Sequence, residues 1–189
     1  MSAPSQRSAP LVGTTGTRPK ETPRIYVACL AAYNTGRLHG AWIAADKGEA
    51  HIRARVRAML QESPEPGAEE WAIHDYDGFD GAPIPEYAGF GWVCDLAEFI
   101  NEHGELAAKI LEHYCGDLEQ AKAAFDDYAG CYTSLADFAE TLTRETGPEI
   151  PDAFQYYIDW SAMGQDMALN GDMFTIELHF DEVHVFWCR

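Results

Sequence analysis

The C-terminal end of the chain carries the side chains best placed to do chemistry. His179 and His184 lie among the carboxylates of Glu177, Asp181 and Glu182. Imidazole and carboxylate groups are ligands of divalent metals, and a hairpin would bring these residues together. The alternative interpretation is that both histidines are polar members of two alternating strands. We favour the second interpretation, because the spacing matches no established metal-binding motif, and we expect no bound metal or cofactor.

Another histidine with acidic neighbours, His74, is followed by Asp75, Tyr76 and Asp77. A carboxylate can orient an imidazole as a general base, but the sequence pairs no nucleophile with this histidine. The sequence also lacks the HExxH, GxSxG, Walker and EF-hand motifs. A metal-dependent hydrolase that uses His74, His179 and His184 is therefore the least favoured of the functions that the sequence allows. We expect no catalytic residue and no enzyme activity.

The other histidines and the cysteines have structural explanations. His103 and His113 fall near the C-terminal ends of predicted helices, where free carbonyls favour an imidazolium. Five irregularly spaced cysteines without a CxxC pair indicate reduced, partly buried thiols in a cytoplasmic protein, rather than a zinc site or disulfide framework. No stretch reaches the roughly 18 apolar residues needed to cross a membrane, and we expect no signal peptide.

Charge is divided unevenly along the 189 residues, whose formal net charge is −18. Residues 1–57 carry nine Lys and Arg against three Asp and Glu, whereas residues 58–188 carry three against 28, a net of −25. A surface that negative repels nucleic acids and anionic membranes, and it attracts basic grooves that normally hold nucleic acid. We therefore expect neither nucleic acid nor a membrane as a partner. An acidic proteome in the source organism is the alternative explanation of this charge.

The spacing of apolar residues predicts an α+β protein of three small modules. An elongated chain of these modules would lay out the negative charges along its length, which a compact globule would not. Residues 24–84 form a ββαβ module, residues 85–126 a module of short helices, and residues 127–189 a module of helices plus an antiparallel hairpin. Residues 1–23, rich in Ser, Thr, Pro and Gly, are predicted to be a disordered extension.

Turn and capping residues set the boundaries within these modules. The predicted strands cover residues 24–33, 38–44, 69–76, 173–179 and 182–187, the first two and the last two as hairpins. The predicted helices cover residues 47–61, three short segments between 93 and 126, the segment from a Ser134 cap to Arg144, and residues 151–169 with a break near Gly164. Asp117 is predicted to cap the third short helix, with Gln120 at its third position.

Acidic residues are dispersed along the predicted helix faces, and the same faces are predicted to imitate the phosphates of DNA. The predicted acidic surface comprises Glu98, Glu102, Glu105, Glu112, Asp117, Glu119, Asp126, Asp127, Asp137, Glu140, Asp152, Asp159 and Asp166. Duplex DNA carries one charge per about 1.7 Å of axis, so a net of −25 corresponds to roughly 43 Å of duplex. Any one of these acids, taken alone, is explained as part of a solvated helix face. The hypothesis that the protein imitates DNA depends on the combined charge of all of them.

At several separate segments, in the same order, the sequence resembles the ArdA family of antirestriction proteins. The segments are residues 25–34 (IYVACLAAYN), 38–43 (LHGAWI), 69–76 (EEWAIHDY), 111–121 (LEHYCGDLEQA) and 183–187 (VHVFW). The fourth resembles the antirestriction motif of the family. Its residues here are Leu111, Glu112, His113, Tyr114, Gly116, Asp117, Leu118 and Glu119.

The resemblance implies an elongated homodimer of three α/β modules whose carboxylates imitate bent duplex DNA. The implied partner is a type I restriction-modification enzyme, whose DNA-binding groove the protein would occupy. In the motif, Leu111, Tyr114 and Leu118 could serve either packing or dimerisation. The long N-terminal extension and the basic residues Arg53, Arg55 and Arg57 depart from the family pattern. We therefore expect the second and third modules to dominate binding.

A different class of function also fits the charge. The chain could be an acidic scaffold that binds basic DNA-associated proteins. Binding that followed the net charge of the partner, regardless of groove shape, would favour this alternative.

Overall fold

The computed structural model of this chain describes residues 21–188, which form two three-stranded antiparallel sheets and eight α-helices. The predicted α+β class is therefore confirmed. The predicted extension lies outside the described residues except for residues 21–23, of which Pro23 is buried and accepts a backbone hydrogen bond from Ala45 at 2.8 Å. No helix within the described range combines the length and apolarity needed to cross a membrane.

The N-terminal sheet has the strand order β2-β1-β3. Its strands are β1 (Arg24–Cys29), β2 (Gly40–Ala44) and β3 (Trp71–Asp77). Ile25 is paired with Ile43 and Val27 with Ile73, and all four side chains are buried. Helix α2 (Glu49–Gln61) packs on this face through buried residues at helical spacing, which are Ile52, Val56 and Met59.

The end of the first predicted strand is helical. Residues 24–33 were expected to be extended, but the chain forms helix α1 (Leu30–Asn34) directly after β1. Leu and Ala are strong helix formers, and Ala32 is buried in this turn. The pairing of β1 with β2 is antiparallel as predicted. Helix α1 and a loop join the two strands, and Gly36 in this loop lies at φ 78°.

The central segment consists of three short helices, as the sequence predicts. They are α3 (Phe90–His103), α4 (Glu105–His113) and α5 (Leu118–Ala123), and a 3₁₀ turn at Ala124–Asp127 follows. Their buried faces join the N-terminal sheet in one hydrophobic cluster, which extends from Ile25 to Ala124 and includes Phe186. The segments 24–84 and 85–126 thus share a core, and the division into three modules stays a prediction.

The C-terminal sheet has the order β4-β6-β5. Its strands are β4 (Tyr128–Tyr132), β5 (Met173–His179) and β6 (Glu182–Trp187). The hairpin of β5 and β6 was predicted, whereas β4 was not. Strand β4 is short, lies at an edge and contains Gly130 at a register shift, so it lacks the alternation of apolar residues that identifies a strand.

Three helices connect β4 to β5. They are α6 (Leu135–Thr146), α7 (Asp152–Gln155) and α8 (Trp160–Leu169). The Ser134 cap is confirmed, since its hydroxyl accepts the N–H of Asp137 at 3.1 Å. The predicted break near Gly164 was wrong, because the interruption falls at residues 156–159 and Gly164 lies inside α8. Its missing side chain lets α8 approach α6, since an added Cβ would lie 2.5 Å from the carbonyl oxygen of Leu135.

We expect Gly164→Ala to lower the free energy of unfolding by roughly 1 kcal/mol. Overpacking costs about 1–3 kcal/mol, and the higher helix propensity of Ala returns up to about 1 kcal/mol. Urea denaturation would measure the change. Gly91→Ala in α3 is the matched helical control, since its Cβ meets only the movable carboxylate of Glu49. If Gly164→Ala stabilises the protein as much as Gly91→Ala does, the close approach of α8 to α6 does not require glycine at position 164.

Candidate functional site

The predicted acidic surface lies on helices, on the 3₁₀ turn and on helix caps. Glu98 and Glu102 are on α3, Glu105 and Glu112 on α4, Asp117 and Glu119 at α5, Asp126 and Asp127 in the 3₁₀ turn, Asp137 and Glu140 on α6, Asp152 on α7, and Asp159 and Asp166 at α8. Ten of these side chains are exposed, while Asp127, Asp137 and Glu140 are partly buried. The carboxylates thus follow the helices from α3 to α8.

Helix periodicity explains why these carboxylates face solvent. On α3, Leu96 and Ile100 point into the core with 1% exposure or less, so Glu98 and Glu102 project outward four residues apart. On α4, Ile110 and Leu111 are buried in the same way, and Glu112 is exposed. Like charges at this spacing repel by about 0.2–0.5 kcal/mol per pair, so packing must offset the cost.

The antirestriction-like motif forms the turn between α4 and α5. The turn places Cys115 at φ 54° and Gly116 at φ 90°, and the Gly116 N–H donates to the carbonyl of Leu111 at 2.9 Å. Asp117 then begins α5, because its carboxylate accepts the N–H of Gln120 at 3.0 Å. This backbone hydrogen bond, together with one from the Gln120 side chain, lowers the pKa of Asp117. The predicted cap is confirmed, and the carboxylate stays ionised.

The apolar residues of the motif hold the turn against the rest of the protein. Leu111 and Leu118 are buried in the main hydrophobic cluster. The His113 ring stacks on Phe174 of β5 with 4.3 Å between ring centroids, and Tyr114 meets the same ring edge-on at 6.0 Å. These residues therefore pack within the chain, and the carboxylates of Glu112, Asp117 and Glu119 are exposed around them.

Few basic side chains are available to neutralise this surface. Residues 58–188 contain only three Lys and Arg, which are Lys109, Lys122 and Arg144. Lys109 pairs with Glu112 at 3.1 Å and Arg144 with Glu140 at 2.7 Å, each within one helix. Such exposed pairs contribute little stability. The remaining carboxylates of the segment greatly outnumber these cations.

The histidines that could act as ligands or bases do not converge on one site. His74 is exposed and meets the ring of Tyr33 edge-on, while the nearby Asp77 carboxylate is bound by Arg24 at 2.8 Å. This contact lowers the pKa of Asp77. Within residues 21–188, the only group of at least three potential metal ligands comprises Cys131, Glu182 and His184. Neither His74 nor His179 belongs to it, so the three histidines of the hydrolase hypothesis are not brought together.

His184 has a partner that the sequence did not indicate. Its Nδ1 lies 2.7 Å from the hydroxyl of Tyr128, and its Nε2 lies 3.3 Å from Glu182. Burial, with smaller contributions from nearby Cys131, Tyr132 and Glu182, raises the pKa of Tyr128 to about 12. Both Tyr128 and Cys131 belong to β4, so the unpredicted strand explains why sequence reasoning missed them.

His103 lies at the last position of α3, as predicted, but the expected imidazolium is not favoured there. The ring stacks on Phe125 with 3.8 Å between centroids and meets Phe99 edge-on at 5.3 Å. Burial between these rings lowers the pKa of His103, and the nearby carboxylate of Glu102 only partly opposes the shift. Desolvation therefore outweighs the effect of the helix end.

The expectation of partly buried thiols holds only in part, since Cys115, Cys131 and Cys188 are exposed.

One comparison with known proteins identifies a relationship over most of the chain. Residues 25–182 match the family model described as "Antirestriction protein (ArdA)". A search of curated proteins finds no match. The matched range contains β1 except Arg24, all of β2 to β5, only Glu182 of β6, all eight helices of the described residues, and every carboxylate of the predicted acidic surface.

We expect His103 to titrate below the ordinary histidine pKa of about 6.5. Because the folded state favours the neutral ring, its contribution to stability is complete above about pH 6.5 and is lost as the pH falls towards the lowered pKa. NMR titration of the ring protons would measure this pKa, with His103→Gln identifying the signal. A midpoint above 6.5 would mean that Glu102 and the helix end outweigh burial.

Proposed function

Because the chain belongs to the ArdA family of antirestriction proteins, we propose that it inhibits type I restriction-modification enzymes by occupying their DNA-binding groove as a mimic of duplex DNA. The family is one of inhibitors and not of enzymes, and antirestriction is the activity that it implies. The proposal adds the mechanism, the class of target and the surface that makes contact. A homodimer that doubles the length of this surface is part of the proposal.

The observation that carries the proposal is the exposure of the carboxylates on successive helices. Ten of the thirteen predicted side chains are exposed, and a net charge of −25 falls on residues 58–188. The part of this segment from α3 to α8, residues 90–169, carries 16 Asp and Glu against three Lys and Arg, a net of −13. At one charge per about 1.7 Å, a net of −13 corresponds to roughly 22 Å of duplex DNA. A groove lined with Lys and Arg for phosphates would meet a comparable number of carboxylates, and its electrostatic attraction would be long-ranged.

The N-terminal sheet and α2 contribute less to this mimicry. Arg24 and Arg37 pair with Asp77 and Glu65, at 2.8 and 3.1 Å, so basic residues of this part neutralise some of its own acids. Arg55 and Arg57 are exposed on α2 and would be repelled by a basic groove. This is why α3 to α8 are proposed to form the contact surface.

The first experiment is competition between the protein and labelled duplex DNA for a type I restriction-modification enzyme, at low and high salt. We expect displacement of DNA near equimolar protein, weakening as salt rises, because the attraction is between many charges. Restriction of unmodified DNA by the same enzyme would be measured in parallel. If the protein displaces no DNA at either salt concentration, the mimic proposal fails and the acidic scaffold becomes the better explanation.

Two variants that lose the same number of charges distinguish binding through the proposed DNA-like surface from binding that depends only on net negative charge. The first variant combines Glu98→Gln, Glu102→Gln and Glu105→Gln, and the control combines Glu62→Gln, Glu69→Gln and Glu70→Gln. All six side chains are exposed, and each variant loses three negative charges. We expect roughly a tenfold weaker inhibition for the first variant, at a few tenths to 1 kcal/mol per charge, and less than about a threefold change for the control.

Two outcomes would contradict the distributed surface. Equal weakening of both variants would mean that binding follows net charge alone, as the acidic scaffold predicts. Loss of inhibition from a single substitution such as Glu112→Gln, in a protein with an unchanged circular dichroism spectrum, would mean that one contact dominates. For that single change we expect at most about a fivefold effect.

A further inference from the structure

The C-terminal sheet brings together one thiol, one carboxylate and one imidazole from two neighbouring strands. Cys131 of β4 is the direct register partner of His184 of β6, so their side chains lie side by side on one face. Glu182 precedes His184 by two residues and shares that face. The ligand atoms of the three residues all lie within 4.8 Å of one another. We propose that Cys131, Glu182 and His184 bind one Zn²⁺ ion.

The donor set and its spacing fit Zn²⁺. Zinc takes thiolate, imidazole and carboxylate ligands in tetrahedral geometry at about 2.0–2.3 Å, which places neighbouring donor atoms roughly 3.3–3.6 Å apart. The Nε2 atom of His184 already lies 3.3 Å from the nearer carboxylate oxygen of Glu182. Cys131 is exposed, so its thiol can rotate towards this pair without crossing packed side chains. A water molecule would complete the four-coordinate site.

His184 is held in place as a metal ligand requires. It is the one buried polar or charged side chain among residues 21–188, with 7% of its surface exposed. Tyr128 fixes the far side of its ring through the 2.7 Å contact with Nδ1. Histidine ligands commonly donate their second N–H to such a partner, which fixes the tautomer and strengthens the bond to the metal. Tyr128 is therefore a positioning residue.

Either neutral tautomer of His184 satisfies both ring nitrogens. Without metal, the Tyr128 hydroxyl donates to Nδ1, and the Nε2 N–H donates to Glu182. With metal, Nδ1 carries the proton and donates to the Tyr128 oxygen, while the Nε2 lone pair binds Zn²⁺. The Cys131 thiol releases its proton to solvent, and the thiolate and carboxylate together balance the two positive charges of the ion. The ion would join β4 to β6, and this role is independent of the proposed function.

Cobalt provides the test, because Co²⁺ bound to a thiolate has an intense charge-transfer absorption that carboxylate-bound Co²⁺ lacks. The full-length protein, stripped with a chelator and kept reduced, is titrated with Co²⁺ and then with Zn²⁺. We expect a charge-transfer band that saturates at one Co²⁺ per chain and disappears when Zn²⁺ replaces it. Cys131→Ser should abolish the band, whereas Cys115→Ser, which changes another exposed cysteine, should retain it. The proposal is overturned if no band forms or if Cys131→Ser leaves it unchanged.

The role of Tyr128 has a separate readout. Tyr128→Phe keeps the ring but removes the hydroxyl, and loss of such a partner typically lowers metal affinity about 10- to 100-fold. Competition for Zn²⁺ with a chromophoric chelator would measure this affinity, with circular dichroism as the check on folding. Unchanged affinity in a folded Tyr128→Phe protein would overturn the positioning role. Glu182→Gln tests the carboxylate ligand by the same measurement of Zn²⁺ affinity. Because Glu182 is only partly buried, this substitution is compatible with folding.

Discussion

Repulsion between carboxylates is the constraint on which the rest of this structure depends. Helices α3 to α8 carry acidic side chains on their outer faces with few cations among them. Each like-charged pair at helical spacing costs about 0.2–0.5 kcal/mol, whereas burial of one Leu, Ile or Phe contributes about 1.5–3 kcal/mol. The buried residues of α3 and α4 alone, among them Leu96, Ile100, Ile110 and Leu111, therefore outweigh the local repulsion. The core makes so acidic a surface compatible with folding.

Several carboxylates also stabilise the helices that carry them. Asp117 and Asp159 accept backbone N–H groups at the starts of α5 and α8. Asp137 accepts hydrogen bonds from the backbone and side chain of Thr133. A negative charge at a helix N-terminus is favourable because the unpaired N–H groups there are partly positive. Acidic residues at these positions contribute to both the fold and the surface charge, and substitutions there would change both.

The features that the sequence predicted correctly depend on local patterns. Helical spacing identified α2, α3 and α4, and it identified the outward direction of Glu98, Glu102 and Glu112. Capping residues identified the starts of α5 and α6, because a cap is formed within four residues. Most of the thirteen carboxylates could therefore be placed on helices or helix caps without knowing the tertiary structure, whereas Asp126 and Asp127 lie in a 3₁₀ turn. The sequence could not show which of these carboxylates are partly buried, because burial depends on packing between elements.

The features that the sequence did not predict depend on contacts between distant residues. Strand β4 is defined by its pairing with β6, so neither the strand nor the approach of Cys131 to His184 has a local signal. Gly164 resembles a helix break in the sequence, but it lies where α8 packs closely on α6. His103 lies at a helix end that favours its charged form, and burial against Phe99 and Phe125, the second of which is distant in the sequence, reverses the preference.

The concentration of basic residues in the N-terminal part of the chain has a consequence for motion in solution. Cations concentrated around the first sheet and α2, with carboxylates on the later helices, give the molecule a permanent electric dipole. In the field of a basic surface, a torque turns the dipole before contact, so the molecule arrives with α3 to α8 in front. A larger fraction of collisions then occurs in one orientation, and the rate of encounter rises without any change in the contacts that form afterwards.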